Sequence, residues 1–319
     1  MKTIALQPKS IRRILISAGP WLALIVLLAV CSISSPSFRQ WQNLLNITRQ
    51  VSYSGIIALG MTLVIIGGGI DLSVGSLLAL AGCAGVMTMN AVPDPVCGFA
   101  AGIAVALAVG AAGGALNGAL VTLGKIPPFI ATLGTFSIFR SLALYFADAG
   151  LVSSGNAYFR AMGRAALLGI PLPAWILLVL TILLSVGLNR TPSGRHLCAT
   201  GANETVAQYA AIRTRLVRFV TYGIVGITVG ISALLLGGRL SSISSTNAGL
   251  SYELDAIAAV IIGGTAMSGG RGSMWGTLVG VLILGIVGNV LDMWGVSVNL
   301  QGTVKGAVII AAVLIQRKR

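Results

Sequence analysis

Gly67-Gly68-Gly69-Ile70-Asp71-Leu72-Ser73-Val74-Gly75-Ser76 is the stretch on which the reading of this chain turns. It is rich in glycine, carries one carboxylate and stands between apolar runs long enough to enter a bilayer. Lipid offers no water to exposed backbone groups. A broken backbone at membrane depth therefore persists only where protein packs around it or where it lines a wet cavity. An ionisable side chain at that depth marks a functional site by default. Gly68, Gly69, Asp71, Ser73, Gly75 and Ser76 are accordingly candidates for a solute pathway. Asp71 has a second reading, placed ahead of solute contact, as the acceptor that caps a helix opening at Leu72, Ser73 or Val74.

The rest of the chain agrees with a membrane setting. Of 319 residues, 56% are hydrophobic and only 9% charged, where soluble domains carry roughly 25% charged residues. Mean hydropathy is +0.95. The net charge of +14 invites a nucleic-acid partner, but the basic residues lie between apolar runs and not on one soluble module. The basic head 1–13 (Lys2, Lys9, Arg12, Arg13) precedes an apolar run with no small-residue cleavage site after Leu28, so an uncleaved first span is expected.

A crossing helix needs about 20 mostly apolar residues. By that measure the spans fall at 14–33, 48–66, 72–90, 96–123, 129–147, 173–188, 216–238, 254–267, 275–294 and 300–315. The expected fold is all-α: one polytopic domain over 1–319, about ten transmembrane or re-entrant helices, both termini cytoplasmic. Segments 72–90 and 254–267 either cross or re-enter. Loop charge supports this orientation, with fourteen basic residues inside and five outside, and Arg140 and Lys305 within spans. Those two are expected to find internal partners such as Asp292. Glycines at 110, 113, 114 and 118, and again at 276, 280, 285 and 288, are read mainly as sites of close helix packing. Ile65-Ile66-Gly67-Gly68 recurs as Ile261-Ile262-Gly263-Gly264, each copy ending an apolar run. Paired interruptions of this kind point to a central binding site in transporter folds.

Between two spans lies a polar island from Asn189 to Arg218, containing the loop 189–215. Pro192 and Gly194 break the preceding span. Ala202 to Ile212 suits a short helix along the membrane, with Asn203 as its N-cap and Glu204 favoured by the helix dipole. Such a helix either presses on a cytoplasmic partner or anchors a basic loop on anionic headgroups. The chain has no phosphate loop of its own: the nearest approach, Gly118 to Ile126, has its first glycine displaced and Ile126 where Ser or Thr would bind magnesium. ATP, if used, comes from another subunit. No nucleophile–base constellation is present, the four cysteines form no CxxC pair, and His196 is the only histidine. No enzyme, metal or cofactor is expected.

Together these residues resemble the signature of ribose-type ABC importer permeases. The similarity is carried by Gly60-Met61-Thr62-Leu63-Val64 with Gly69 to Ser76, and by Tyr252 to Ala259 with Gly263-Gly264-Thr265 and Ser268-Gly269-Gly270-Arg271-Gly272. Gly194-Arg195 with Gly201-Ala202-Asn203-Glu204 is similar to the family's cytoplasmic loop, and the likeness runs from about Asn43 to the C-terminus. The resemblance implies a permease of the bacterial inner membrane that works as a homodimer and moves a sugar or sugar-like solute by alternating access. It also implies a cytoplasmic ATPase and a periplasmic sugar-binding protein as partners. Gly194, Arg195, Gly201, Asn203, Glu204, Ala207, Ala211 and Ile212 then belong to the ATPase-docking loop. Gly263, Gly264, Thr265, Gly269 and Gly270 join the pathway candidates, and Glu253 and Asp255 are periplasmic-side candidates. The chain departs from the family at Ala211-Ile212, where Gly-Ile is common, and at Val206-Ala207-Gln208, where Ala-Ala-Arg is common. The competing reading is an ion-coupled carrier of a small polar solute with Asp71 near its pathway.

Overall fold

The computed structural model describes the backbone of residues 8–297, 300–304, 306–307 and 310, with side chains from Gly19 onward. Lys305 and residues 308–309 and 311–315 of the last expected span lie outside the described residues, as do the side chains of the basic head. Among the described residues the helices are α1 (Pro8–Ser34), α2 (Trp41–Ile66), α3 (Val74–Ala91), α4 (Pro95–Thr122), α5 (Pro128–Phe146), α6 (Ala157–Arg164), α7 (Leu172–Arg190), α8 (Pro192–Ala202), α9 (Glu204–Tyr209), α10 (Thr214–Leu240), α11 (Tyr252–Ile262) and α12 (Met274–Met293). Helical backbone resumes at Leu300. Four very short strands, β1 (Leu151–Ser153), β2 (Ala166–Leu167), β3 (Ile170–Pro171) and β4 (Ser242–Ser244), form two antiparallel pairs, with Val152 opposite Ile243 in the first.

The chain is mostly helical and polytopic. Seven helices, α2, α3, α4, α5, α7, α10 and α12, are long and apolar enough to cross a membrane. Even α3, with 18 residues, reaches about 27 Å at 1.5 Å per residue, close to the ~30 Å hydrocarbon thickness. The doubtful segment 72–90 thus has the length of a crossing. Its counterpart does not: α11 has 11 residues, about 16 Å, half a crossing. The ten expected spans therefore become seven full-length helices, the apolar Gly19–Ser34 part of α1, the half-length α11 and a partly described run from 300.

Helix α2 sits at the centre, apolar on every side and buried from Val51 to Ile66 except for Ser54. An all-round apolar helix belongs in a core of this kind. The glycines fall into two groups. A Cβ on Gly110 or Gly114 of α4 would strike the α10 backbone at Gly226 and Tyr222, and one on Gly276 or Gly280 of α12 would strike Gly263 and Ala259. Those are close-packing glycines, as expected where lipid gives apolar side chains no reason to associate. Gly288 is different, because nothing lies within 4 Å of the place its Cβ would take.

Arg140 finds internal partners as expected, but they are backbone carbonyls and not Asp292. Its guanidinium donates to the carbonyls of Ser245, Thr246 and Ala248 at 2.8–3.3 Å, and Asp292 accepts from Gln301 Nε2 at 2.6 Å. Ser245, Thr246 and Ala248 lie in the irregular segment between β4 and α11, and a planar fork of donors meets several of their carbonyls at once.

Candidate functional site

Two interruptions in the helices organise the site, and their backbones leave the helix in the same way. At the end of α2, Gly67 is αR (φ −71°, ψ 0°) and Gly68 left-handed (φ +78°). At the end of α11, Gly263 is αR (φ −66°, ψ −3°) and Gly264 left-handed (φ +87°). The amide of Gly69 reaches back to Val64 O at 2.9 Å and that of Thr265 to Val260 O at 3.2 Å. This is the Schellman exit, which satisfies orphan carbonyls and requires a left-handed residue just past the cap. The four-residue echo in the sequence is thus two copies of one helix stop.

The two segments then diverge. From Gly69 the chain enters a closed polar cluster. Asp71, fully buried, accepts from Ser73 N at 2.8 Å, Ser73 Oγ at 2.7 Å and Asn117 Nδ2 of α4 at 3.1 Å. Asn117 Nδ2 also donates to Ser73 Oγ at 2.8 Å, and Thr135 Oγ1 of α5 donates to Asn117 Oδ1 at 2.7 Å. Ser76 Oγ donates to Ser73 O at 2.8 Å. Asp71 therefore stabilises the turn just ahead of α3, with Ser73 in the N-cap position. Gly75 packs where a Cβ would meet Gly249 O and the Glu253 carboxylate.

The second segment, 263–273, has fewer side chains to bury and pairs through its backbone. Gly269 (φ +84°) and Gly270 (φ +78°) make a turn that brings Gly270 N to Ile66 O at 2.8 Å. Thr265 is buried within it. Thr62 and Thr277 share a hydroxyl hydrogen bond of 2.7 Å behind the junction. The two breaks are therefore joined at the end of α2.

The loop after α7 is keyed to that junction. Gly194 lies against the Leu188 backbone, and Gly201 lies where a Cβ would collide with Ile66 O. The short helix expected over 202–212 is present only over Glu204–Tyr209, as α9. Asn203 is extended (φ −162°, ψ 105°), ending α8 and capping α9 through Val206 N at 3.1 Å. Glu204 Oε2 pairs with Arg218 Nη1 at 2.7 Å, while Arg218 Nε donates to Gly67 O at 3.0 Å. One guanidinium thus links α9 to the first break. Tyr222, a turn further along α10, donates to Ile70 O at 3.0 Å. Ala207 is buried, Ile212 half-buried, and Arg195 exposed on α8. Ala211 is left-handed at φ +59°, a conformation that glycine adopts without strain. The exposed face of α9 carries Val206 and Tyr209, the latter 88% exposed.

Glu253 and Asp255 occupy the first turn of α11, where the helix dipole favours carboxylates. Asp255 faces a small cavity between α2, α11 and α12, away from the α8–α9 end of the bundle. Sequence reasoning passed over Arg218, Asn117, Thr135 and Tyr222. The signal for Asn117 was present, as an amide inside an otherwise apolar crossing; Arg218 was visible only as one more basic residue.

A family model described as "Branched-chain amino acid transport system / permease component" matches residues 43–313. The chain is 45% identical over 325 residues to the ribose import permease protein of Bacillus subtilis (strain 168), covering 100% of this chain and 99% of that protein. It is 40% identical over 302 residues to the ribose import permease protein of Escherichia coli (strain K12), covering 93% and 92%. It is 35% identical over 302 residues to the L-arabinose transport system permease protein of the same strain, covering 94% and 90%. No solved structure matches the chain significantly.

Proposed function

The chain belongs to the branched-chain amino acid transport system / permease component family, and we infer that within it the protein imports a sugar or sugar-like solute. It is the permease subunit of an ABC importer, a multi-pass protein of the bacterial inner membrane. The family description names amino acids, but the relatives at 45%, 40% and 35% identity reported above are named for ribose and arabinose, and we follow the relatives. They also favour the importer over an ion-coupled carrier built on Asp71.

In this reading about ten helical segments, two of them interrupted, place both termini and the 189–215 loop in the cytoplasm. The permease works as a homodimer with a cytoplasmic ATPase and a periplasmic sugar-binding protein. The ATPase docks on the exposed face of α8 and α9, meeting Arg195, Val206 and Tyr209, with Asn203, the half-buried Gly201 and the buried Gly194 and Ala207 shaping the surface. Ala211 and Ile212 close its far end. The observation that supports this most is Arg218, held by Glu204 on one side and by Gly67 O on the other. A shift of α9 under the ATPase is transmitted through that guanidinium to the end of α2, and through Ile66 O to Gly270 in the second break. Gly68, Gly69 and Gly264 shape the two stops, Gly269 and Gly270 let the second segment move around the buried Thr265, and Asp71, Ser73 and Ser76 hold the first segment in place.

The test is co-purification of the ATPase with the tagged permease in mild detergent. Val206→Asp with Tyr209→Ala should abolish capture while the permease remains in the membrane. Undiminished capture would remove the docking surface. Uptake of D-ribose set against L-leucine separates the sugar from the amino-acid reading.

A further inference from the structure

We propose that the groove between α7 and α10 holds a phospholipid with an anionic headgroup, drawn from the leaflet that the 189–215 loop faces. The site is independent of which solute the protein carries. Helices α7 and α10 both pack against α2 but scarcely touch each other. The gap is a cavity of about 520 Å³, with Leu63 of α2 as its floor, Leu184 and Leu188 of α7 on one wall and Leu216 and Val220 of α10 on the other. Helix α8 and the chain from Ala210 to Arg213 close its end at the loop. The volume lies within the roughly 300–1,000 Å³ of pockets that hold organic ligands.

The lining decides the chemistry of the occupant. The walls are aliphatic, and the threonine hydroxyls among them are already used: Thr191 Oγ1 donates to Gly187 O at 2.6 Å and Thr221 Oγ1 to Arg218 O at 2.7 Å. A sugar would lose its water there for few hydrogen bonds, whereas an acyl chain has none to lose. The groove also opens toward lipid. Leu216 and Val220 are exposed, as are Leu183 and Val186 of α7, on helices long and apolar enough to cross a membrane.

The loop end is polar and basic. Ser193, His196 and Arg213 stand there, and no acid lines the cavity. Both Arg213 and His196 are exposed, and neither side chain is engaged in a hydrogen bond or ion pair among the described residues. Arg190, Arg195 and Arg215 add charge on the same loop, whose one carboxylate, Glu204, is paired with Arg218. An apolar slot with a cationic rim fits a phospholipid with its chain inward and its phosphate on Arg213, and the rim prefers an anionic headgroup to a zwitterionic one. Ala211 and Ile212 also line the groove, so the lipid braces the loop beside α9.

Gly187 offers the means of blocking the site. This helical residue lines the cavity, and a Cβ on it meets nothing within 4 Å. The experiment is native mass spectrometry of the purified, delipidated permease titrated with phosphatidylglycerol and with phosphatidylcholine. Wild type should bind phosphatidylglycerol about tenfold more tightly. Arg213→Gln should cut that preference about fivefold, the worth of one basic side chain at an anionic surface. Gly187→Trp should weaken both lipids about tenfold by filling the slot. Equal binding of the two lipids by wild type, or unchanged binding in both variants, overturns the site. So does loss of the dimer in Gly187→Trp with lipid binding unchanged, which would make the groove an interface between copies. Should Gly187→Trp fail to fold, the Arg213→Gln result decides alone. The readout uses neither ATPase nor solute, so its failure leaves the importer reading standing.

Discussion

The segments 67–73 and 263–273 leave their helices through the same Ile-Ile-Gly-Gly stop and then solve the problem of buried backbone differently. The first recruits side chains, closing Asp71, Ser73, Asn117 and Thr135 into one cluster across α4 and α5. The second uses glycine and gives its backbone to Ile66 O. A segment anchored through side chains to neighbouring helices is fixed to them, whereas one joined to α2 through the Gly270 amide is more readily released. The contrast assigns the first break to holding the bundle and the second to moving within it.

The largest effect expected from breaking this contrast is at Asp71. Asp71→Ala leaves the Ser73 amide and hydroxyl and an Asn117 N–H short of an acceptor in a buried site, at a cost of about 3 kcal/mol or more. Purified protein should melt well below wild type in detergent, or fail to accumulate. Next come Gly68→Ala and Gly264→Ala. A Cβ at either place meets only ordinary contacts, Arg218 Nη2 at 3.6 Å and Pro20 Cγ at 4.0 Å. Each should therefore cost only the left-handed penalty of about 1–2 kcal/mol. Equal shifts in thermal stability would sharpen the claim that the two stops are copies; a large difference would break it. In the second break, Ser273→Ala removes the side-chain cap of α12 (Gly276 N to Ser273 Oγ, 3.2 Å) for about 1 kcal/mol, far less than the loss of Asp71. The smallest effect lies outside both breaks: Ala211→Gly relieves a left-handed alanine and should raise stability by several tenths of a kcal/mol to about 1 kcal/mol.

What could be read from sequence was what is local. The Ile-Ile-Gly-Gly stop is visible in the chain because a Schellman exit uses only the residues beside it. Asn203 as an N-cap was legible for the same reason. The helix expected over 202–212 proved shorter because α8 already holds Ala202, and the extended Asn203 separates the two helices. The partners of Asp71 and Arg218 were not legible, since Asn117 is 46 residues from Asp71 and Gly67 is 151 from Arg218. No periodicity encodes such meetings; helix crossings bring them about. The glycine rows of α12 show the same limit. Gly276 and Gly288 look alike in sequence, and only the helices packed beside them distinguish a contact from an opening.

Transmission through Arg218 is the claim on which the account depends, and the reconstituted importer tests it. Arg218→Met should retain ATPase capture and ATP hydrolysis while solute transport falls at least tenfold, because α9 still binds its partner but no longer engages the end of α2. Wild-type transport by Arg218→Met would contradict the account.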